Sequence, residues 1–229
     1  MPKDRWVLLR RVEGYHPAAM EAVVREGFEL LGRKPGGRVL IKPNVVFANK
    51  NYSQHAFTNP GLVGIVADQV REYPAVTDLS IGESGGYAIP TRLNFKESGY
   101  YEMGHKHGVP IVDFNEDTYV KVSLKRSSCH RTLLCPRLIH GADFKIWMPK
   151  LKFHICCEIT NALKLNIGSL LHKERMLYHD DRLNEKIVDV LEIGYPDLVV
   201  IEHALLVEQA ADIELQGVRD LAADMKLEL

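Results

Sequence analysis

The sequence predicts an α/β protein with a mainly parallel sheet, helices on both faces of that sheet, and some antiparallel strands in the second half of the chain. Short apolar runs typical of buried strands alternate with longer segments whose apolar residues recur at helical spacing. Parallel strands need such crossover helices, which then cover the faces of the sheet. The second half also contains a segment of period-two alternation, which is typical of a half-buried antiparallel strand.

The first half of the chain predicts four strands separated by three helices. Each strand is a short apolar run, and the four lie at residues 6–9, 39–41, 78–81 and 109–112. The helices are predicted at residues 16–31, from residues 58–60 onward, and at residues 90–104. The second helix has the clearest start, because Asn59 is a good capping residue and Pro60 suits the first helical turn.

The second half continues the alternation less regularly. The period-two segment at residues 119–124 predicts a half-buried antiparallel strand, and residues 143–148 predict a core strand. Helices are predicted at residues 158–165 and 184–193, a strand at 198–201, and a final helix at 203–229. We expect the strands at residues 39–41, 79–81, 110–112 and 198–201 to share one parallel sheet. No repeat or linker is visible, so one domain over residues 1–229 is the simplest organisation.

Composition and charge exclude several classes of function. The chain has 229 residues, with 29 Lys and Arg against 30 Asp and Glu, for a net charge of −1. A general nucleic-acid binder is usually strongly basic, so no nucleic-acid partner is expected. No apolar run approaches the roughly 20 residues that a membrane helix needs, and the charged N-terminus is unlike a secretory signal. We therefore expect a cytoplasmic protein with no membrane partner.

The cysteines predict neither a disulfide nor a metal site. The chain has four, and none forms a C-x-x-C pair; they are Cys129, Cys135, Cys156 and Cys157. The spacing of cysteines and histidines between residues 129 and 140 matches no usual zinc frame. Reduced, structural thiols are expected.

Two polar clusters directly follow predicted strands, where open α/β sheets bind ligands. In the first, Pro43 holds Lys42 in an extended conformation and Asn44 adds both a hydrogen-bond donor and an acceptor. The second is the glycine-rich turn at residues 82–86, which contains Glu83 and Ser84. Its glycines let backbone N–H groups approach an anion closely. A plain strand-end turn is the alternative explanation for each cluster.

A third cluster spans residues 148–179 and holds the remaining candidates. It contains Lys152 and His154, then Asn161 and Lys164 on the predicted helix 158–165, and then His172. Asn161 and Lys164 are three residues apart and would share one helix face. A lone histidine is more often a structural group than a functional one, but these two flank a lysine- and asparagine-rich segment.

A serine hydrolase is a further alternative. Residues 82–86 satisfy the G-x-S-x-G pattern between a strand and a helix, with Ser84 at the nucleophile position. Asp197 and His203 would complete the usual chain order of a triad. The residues that follow Gly86 do not begin a helix at once, which this turn requires.

These clusters, in this order, resemble the domain of unknown function 362 family over roughly residues 39–201. The motifs that carry the resemblance are Ile41-Lys42-Pro43-Asn44, Thr58-Asn59-Pro60, Gly82-Glu83-Ser84, Pro149-Lys150-Leu151-Lys152-x-His154 and Thr160-Asn161-Ala162-Leu163-Lys164-x-Asn166-x-Gly168. The resemblance implies an α/β domain. Some members carry an iron–sulfur module, but this chain lacks a cysteine cluster of that kind. It also departs from the family after Ile201, where Glu202 replaces an aspartate.

The function that these features favour is an enzyme acting on a small anionic molecule, either a carboxylate or a phosphate ester. His154 and His172 would transfer protons, while the ligand-binding residues would be Lys42, Asn44, Glu83, Ser84, Lys152, Asn161 and Lys164. No cofactor can be assigned, and a homodimer is an expectation. Two alternatives stay open: a protein that binds a metal or small molecule without turnover, and an interaction protein whose family pocket has decayed.

Overall fold

A five-stranded parallel sheet forms the centre of the computed structural model, which describes residues 7–49, 56–86, 89–154, 158–171 and 182–202. Its strands are β1 Gly37–Pro43, β2 Val76–Glu83, β3 Ile111–Asp113, β6 Phe144–Met148 and β9 Leu198–Val199. They lie in the order β3-β2-β1-β6-β9, and every neighbouring pair is parallel. The prediction that the four named strands share one parallel sheet is confirmed.

Helices connect these strands, and two antiparallel pairs lie outside the main sheet. One pair is β4 Tyr119–Ser123 with β5 Thr132–Pro136, and the other is β7 Lys152–His154 with β8 Glu158–Thr160. The helices are α1 Pro17–Leu30, α2 Pro60–Arg71, α3 Thr91–Glu97, α4 Tyr100–His107, α5 Arg137–Gly141, α6 Ala162–Leu165 and α7 Leu183–Leu191. Short 3-10 turns cover Phe114–Glu116 and Asn166–Ser169.

The strand order reverses at β1. From β1 the chain moves outward to β2 and β3, and it then returns to the other side of β1 for β6 and β9. Pro43 and Met148, at the carboxyl ends of β1 and β6, lie side by side at this reversal. Ligands of open α/β proteins bind at such a reversal point.

Apolar side chains fill both faces of the sheet because successive residues of a strand point to opposite faces. In β1, Val39 and Ile41 belong to one core, with α1, α2 and α4, while Leu40 belongs to the other. Trp147 of β6 packs in the second core with α6 and α7. Both cores are buried, so the sheet that carries the strand-end residues is held from two sides.

Three predicted elements are wrong. Residues 7–9 form no strand, because Val7 and Leu9 are exposed rather than packed. The predicted helix 90–104 is broken by Gly99, whose φ of 80° lies in the left-handed region that favours glycine. The predicted helix 158–165 begins instead with β8, since residues 158–160 pair with β7. The proposed helix 203–229 lies outside the described residues.

In the described part of the chain, no helix is long and apolar enough to cross a membrane. The two cysteines that the structure describes are free: Cys135 is buried and Cys129 is half-buried. Burial raises the pKa of the Cys135 thiol to about 12. Cys156 and Cys157 lie outside the described residues.

The burial of Cys135 leads to a test by thiol titration. In the native protein near pH 8, Cys135 should not react with a disulfide reagent, because the reactive thiolate is scarce and inaccessible. Under denaturing conditions without reductant, all four cysteines should react. Recovery of four thiols only after reduction would contradict the expectation of reduced cysteines.

Candidate functional site

A buried ion pair joins the carboxyl ends of the two central strands. The Lys42 ammonium of β1 lies 2.8 Å from Oε2 of Glu83 in β2, and neither side chain is more than 1% exposed. The other carboxylate oxygen of Glu83 accepts a hydrogen bond from the Ser84 backbone N–H at 2.7 Å. Each charge therefore has a partner, which a fully buried charge requires.

Gly168 lies directly against this ion pair. A Cβ atom at residue 168 would be 2.5 Å from Oε1 of Glu83 and 2.6 Å from Nζ of Lys42. The Ser84 hydroxyl donates to the Gly168 carbonyl at 2.6 Å and makes a longer bond to the Leu170 carbonyl. The turn after β2 and the 3-10 turn after α6 are thus joined over the pair.

Asn166 attaches the same 3-10 turn to the sheet. Its Oδ1 accepts a hydrogen bond from the indole N–H of Trp147 in β6, at 2.9 Å. Its amide nitrogen donates to the carbonyls of Ala162 and Leu163 in α6. The asparagine and the glycine of the last family motif therefore both fix this helical segment over the sheet edge.

Asn44 follows β1 and is fully buried at the reversal point. Its backbone N–H donates to the Met148 carbonyl of β6, and its Oδ1 accepts from the Val46 N–H. Its side-chain Nδ2 has no hydrogen-bond partner among the described residues. An unsatisfied buried donor costs about 1–3 kcal/mol, so such groups are rare unless a ligand or water completes them.

The β7–β8 hairpin presents alternate side chains to the protein. Phe153 and Ile159 are paired across the hairpin and are strongly exposed, at 81% and 61%. The residues on either side of them therefore face inward, because side chains alternate along a strand. Lys152 is paired with Thr160, whose buried hydroxyl has no partner in the described part of the chain.

Lys152 is the most perturbed lysine of this cluster. Its ammonium donates to the carbonyl of Ala56. Burial, and after it the charge of Lys164, lower the pKa of Lys152 to about 8; Lys150 adds to the lowering and Glu83 opposes it. Charges on α6, after β6 and at the end of β2 therefore all act on this lysine of the hairpin.

A second buried ion pair lies beside the first, at the ends of β6 and β9. The Lys150 ammonium is 2.6 Å from Oε1 of Glu202, and the Tyr15 hydroxyl donates to the same oxygen. The Asn59 N–H donates to Oε2 of Glu202 at 2.7 Å. Burial and the Glu202 carboxylate raise the pKa of Tyr15. Glu202, which departs from the family aspartate, thus keeps a carboxylate at this position.

The structure gives several predicted ligand residues partners within the protein. Lys42 and Glu83 satisfy each other, and Ser84 binds two carbonyls. Asn161 is not on a helix face, since its side chain caps α6 by accepting the Ala162 N–H at 2.8 Å. Lys164 lies in the last turn of α6. His154 faces inward on the hairpin, half-buried, and His172 lies outside the described residues.

Sequence reasoning missed four side chains at this edge. They are Lys150, Glu202, Thr160 and Thr58, the last of which donates its hydroxyl to the Met148 carbonyl. Position gave a usable signal for two of them, because Lys150 follows β6 and Glu202 follows β9 as closely as Asn44 follows β1. Thr58 and Thr160 each begin one of the family motifs, but the inward position of Thr160 follows only from its pairing in β8.

The structure excludes the serine triad that the sequence suggested with Asp197, and His203 lies outside the described residues. Ser84 follows the carboxyl end of β2, whereas Asp197 precedes the amino end of β9, so they lie at opposite edges of the parallel sheet. Asp197 accepts hydrogen bonds from Arg33 and from the Lys145 backbone instead.

Across the described ranges, no group of three or more His, Cys, Asp or Glu side chains could hold a metal ion.

Comparison with known proteins identifies the family. The sequence pattern of the domain of unknown function 362 family matches residues 39–217. The chain belongs to this family. The motifs found from the sequence lie at the strand ends, the hairpin and the α6 segment described above.

Relatives of known name or structure cover much of the chain. A thylakoid-associated protein of Synechocystis is 28% identical over 207 residues, which is 86% of this chain and 62% of that protein. A crystal structure of a Thermotoga maritima protein matches with a TM-score of 0.51 and 12% identity, over 84% of this chain and 52% of that one. The lactate racemase apoprotein of Thermoanaerobacterium thermosaccharolyticum matches with a TM-score of 0.47 and 10% identity, over 81% and 49%.

These coverages and identities limit what the relatives show. The chain spans between about half and three fifths of the length of each relative. At 12% identity, the Thermotoga structure supports the α/β fold alone.

Gly168 provides a test of the buried ion pair. In Gly168→Ala, the new methyl group would overlap Glu83 and Lys42, which are buried and cannot move into solvent. We expect a loss of about 1–3 kcal/mol in the free energy of unfolding, measured by urea denaturation. Gly32→Ala is the matched control, because a Cβ atom there meets nothing within 4 Å. Equal stability of the two variants would contradict the described packing.

Proposed function

We propose that this protein is an enzyme that acts on a small anionic molecule, a carboxylate or a phosphate ester, bound at the adjacent carboxyl ends of β1 and β6. The observation that carries the proposal is the buried Asn44 amide, whose Nδ2 has no partner in the described part of the chain. It lies at the reversal point of the sheet, where ligands of this fold class bind. Lysines surround that edge, so the ligand that suits it is an anion.

The lysines at this edge divide into two groups. Lys42 and Lys150 are each paired with a buried carboxylate within 2.8 Å. The charge of Lys164 lowers the pKa of Lys152, and a bound anion would offset that repulsion. We therefore assign anion binding to Lys152 and Lys164, and a supporting role to the two ion pairs.

The remaining polar groups would orient the ligand and move protons. The Asn44 amide and the Thr160 hydroxyl are buried donors that a ligand oxygen can satisfy. His154 lies two residues from Lys152 on the same face of the hairpin, and imidazole is the side chain best suited to proton transfer near neutral pH. Glu83, Ser84 and Asn161 would position these groups rather than touch the ligand.

The partner and location assignments stay predictions from the sequence. These are the absence of nucleic-acid and membrane partners, the homodimer and the cytoplasmic location.

Replacing Lys164 tests the proposed site. Lys164→Met should weaken the binding of inorganic phosphate or a small carboxylate by roughly ten- to a hundredfold, the effect of losing one charge-assisted contact. Isothermal titration calorimetry gives the dissociation constant. Lys121→Met is the matched control, because Lys121 is exposed on β4. The proposal fails if neither anion binds the wild-type protein, or if both variants bind equally well.

The dependence of binding on pH is a second test. An anion favours protonated Lys152, so binding should raise the pKa of that lysine above its free value of about 8. The affinity for a small carboxylate should therefore be constant below about pH 7. It should fall as the pH rises through 8, since Lys152 must then take up a proton on binding. Lys152→Arg should remove this fall, because arginine stays charged. An affinity that rises above pH 8 would contradict the assignment.

A further inference from the structure

Lys152 combines two properties that an anion-binding lysine does not need. Its side chain is largely withdrawn from water on the inner face of the β7–β8 hairpin, with its nitrogen donating to the Ala56 carbonyl. The charges of Lys164 and Lys150 also act on it and lower its pKa further. A cation meant only to attract an anion does not need to lose its hydration or to lie near other cations, and both conditions favour the neutral amine instead.

We propose that Lys152 is a nucleophilic amine that forms a Schiff base with the carbonyl group of a small oxo acid, whose carboxylate is held by Lys164. The inference rests on the proposed function, since the same proposed anion site would bind the carboxylate. It adds a substrate class, oxo acids, and a covalent step that anion binding does not require.

The geometry supplies each group that this step uses. Lys152 is paired directly with Thr160 across the hairpin, and Cβ atoms of such pairs lie about 4.5–5.5 Å apart. The unpartnered Thr160 hydroxyl is therefore beside the amine, while the unpartnered Asn44 amide lies at the neighbouring end of β1. Ala56 and Thr58 connect the two, because Ala56 accepts from Lys152 and Thr58 N–H donates to the Asn44 carbonyl.

The electrostatics favour the form of the amine that reacts. Only a neutral amine carries the lone pair that attacks a carbonyl, and a lysine is activated by desolvation or by a second cation nearby. Burial and the Lys164 charge together hold the pKa of Lys152 at about 8. Roughly half of its molecules are then neutral at that pH, against less than about 1% for an ordinary lysine.

The step balances without an oxidant or reductant. The lone pair of Lys152 Nζ forms a bond to the carbonyl carbon, and the C=O electron pair moves to oxygen, which takes a proton as nitrogen gives one up. The resulting hydroxyl group takes a second proton and leaves as water while the C=N bond forms. The product is a protonated imine, and one proton has been consumed overall. The Asn44 and Thr160 donors can stabilise the negative charge that develops on oxygen.

Reductive trapping tests this proposal directly. The full chain is incubated with pyruvate and sodium cyanoborohydride near pH 8, and the modified lysine is identified by peptide mass spectrometry. We expect one reduced adduct at Lys152, formed at least about tenfold faster than at exposed lysines such as Lys121. Phosphate in excess should slow trapping at Lys152 and leave the exposed lysines unaffected.

Variants separate a chemical role from a structural one. Lys152→Arg keeps the positive charge but has no primary amine, so it should lose the adduct, whereas Lys121→Met should leave the adduct at Lys152 unchanged. In Lys164→Met, the pKa of Lys152 should rise, because a neighbouring positive charge is removed. Trapping at Lys152 should then fall more near pH 7 than near pH 9.5, while trapping at exposed lysines stays unchanged. Far-ultraviolet circular dichroism checks that each variant is folded.

The outcomes distinguish this proposal from the one on which it rests. Phosphate binding without a preferred adduct at Lys152 would overturn the Schiff base and leave the anion site intact. Absence of both would overturn the proposed function as well. An adduct at Lys152 that phosphate does not slow would also contradict the proposal, because the carboxylate would then be bound elsewhere.

Discussion

The carboxyl edge of the sheet is organised around two charges that water cannot reach. Lys42 and Glu83 end adjacent parallel strands and meet at 2.8 Å with almost no exposed surface. Removing one partner from such a pair typically costs about 3–5 kcal/mol, because the other charge is left buried and unpaired. The pair therefore fixes the relative positions of β1 and β2 at their ends. It also restricts residue 168 to glycine, since no Cβ atom fits beside it.

Several other contacts depend on the presence of glycine at residue 168. With Gly168 against the pair, its carbonyl accepts the Ser84 hydroxyl, and two residues earlier Asn166 accepts the Trp147 indole N–H. The α6 segment is thereby held across β1, β2 and β6, which places Lys164 over the same edge. On the other side of β6, Lys150 and Glu202 repeat the arrangement with β9. Two ion pairs thus form a rigid base beneath the residues to which we assign binding.

The sequence allowed the parallel sheet to be predicted because local hydrophobic periodicity indicates both buried strands and amphipathic helices. It also allowed Lys42, Asn44 and Glu83 to be placed at the carboxyl ends of neighbouring strands, and they lie there in the structure; whether they form a binding site stays a prediction. It failed for residues 158–160, where the polar and apolar pattern suited a helix but pairing with β7 decided the structure. It could not show that Lys42 pairs with Glu83, or that Lys150 pairs with Glu202, because these partners are 41 and 52 residues apart.

The Lys42–Glu83 ion pair also affects the chemistry of Lys152, which belongs to neither pair. Glu83 raises the pKa of Lys152, whereas Lys164 and Lys150 lower it. Lys42 holds Glu83 through the 2.8 Å ion pair, so it fixes the position from which the carboxylate acts on Lys152. A residue buried away from the proposed ligand therefore influences Lys152 through the carboxylate that it positions.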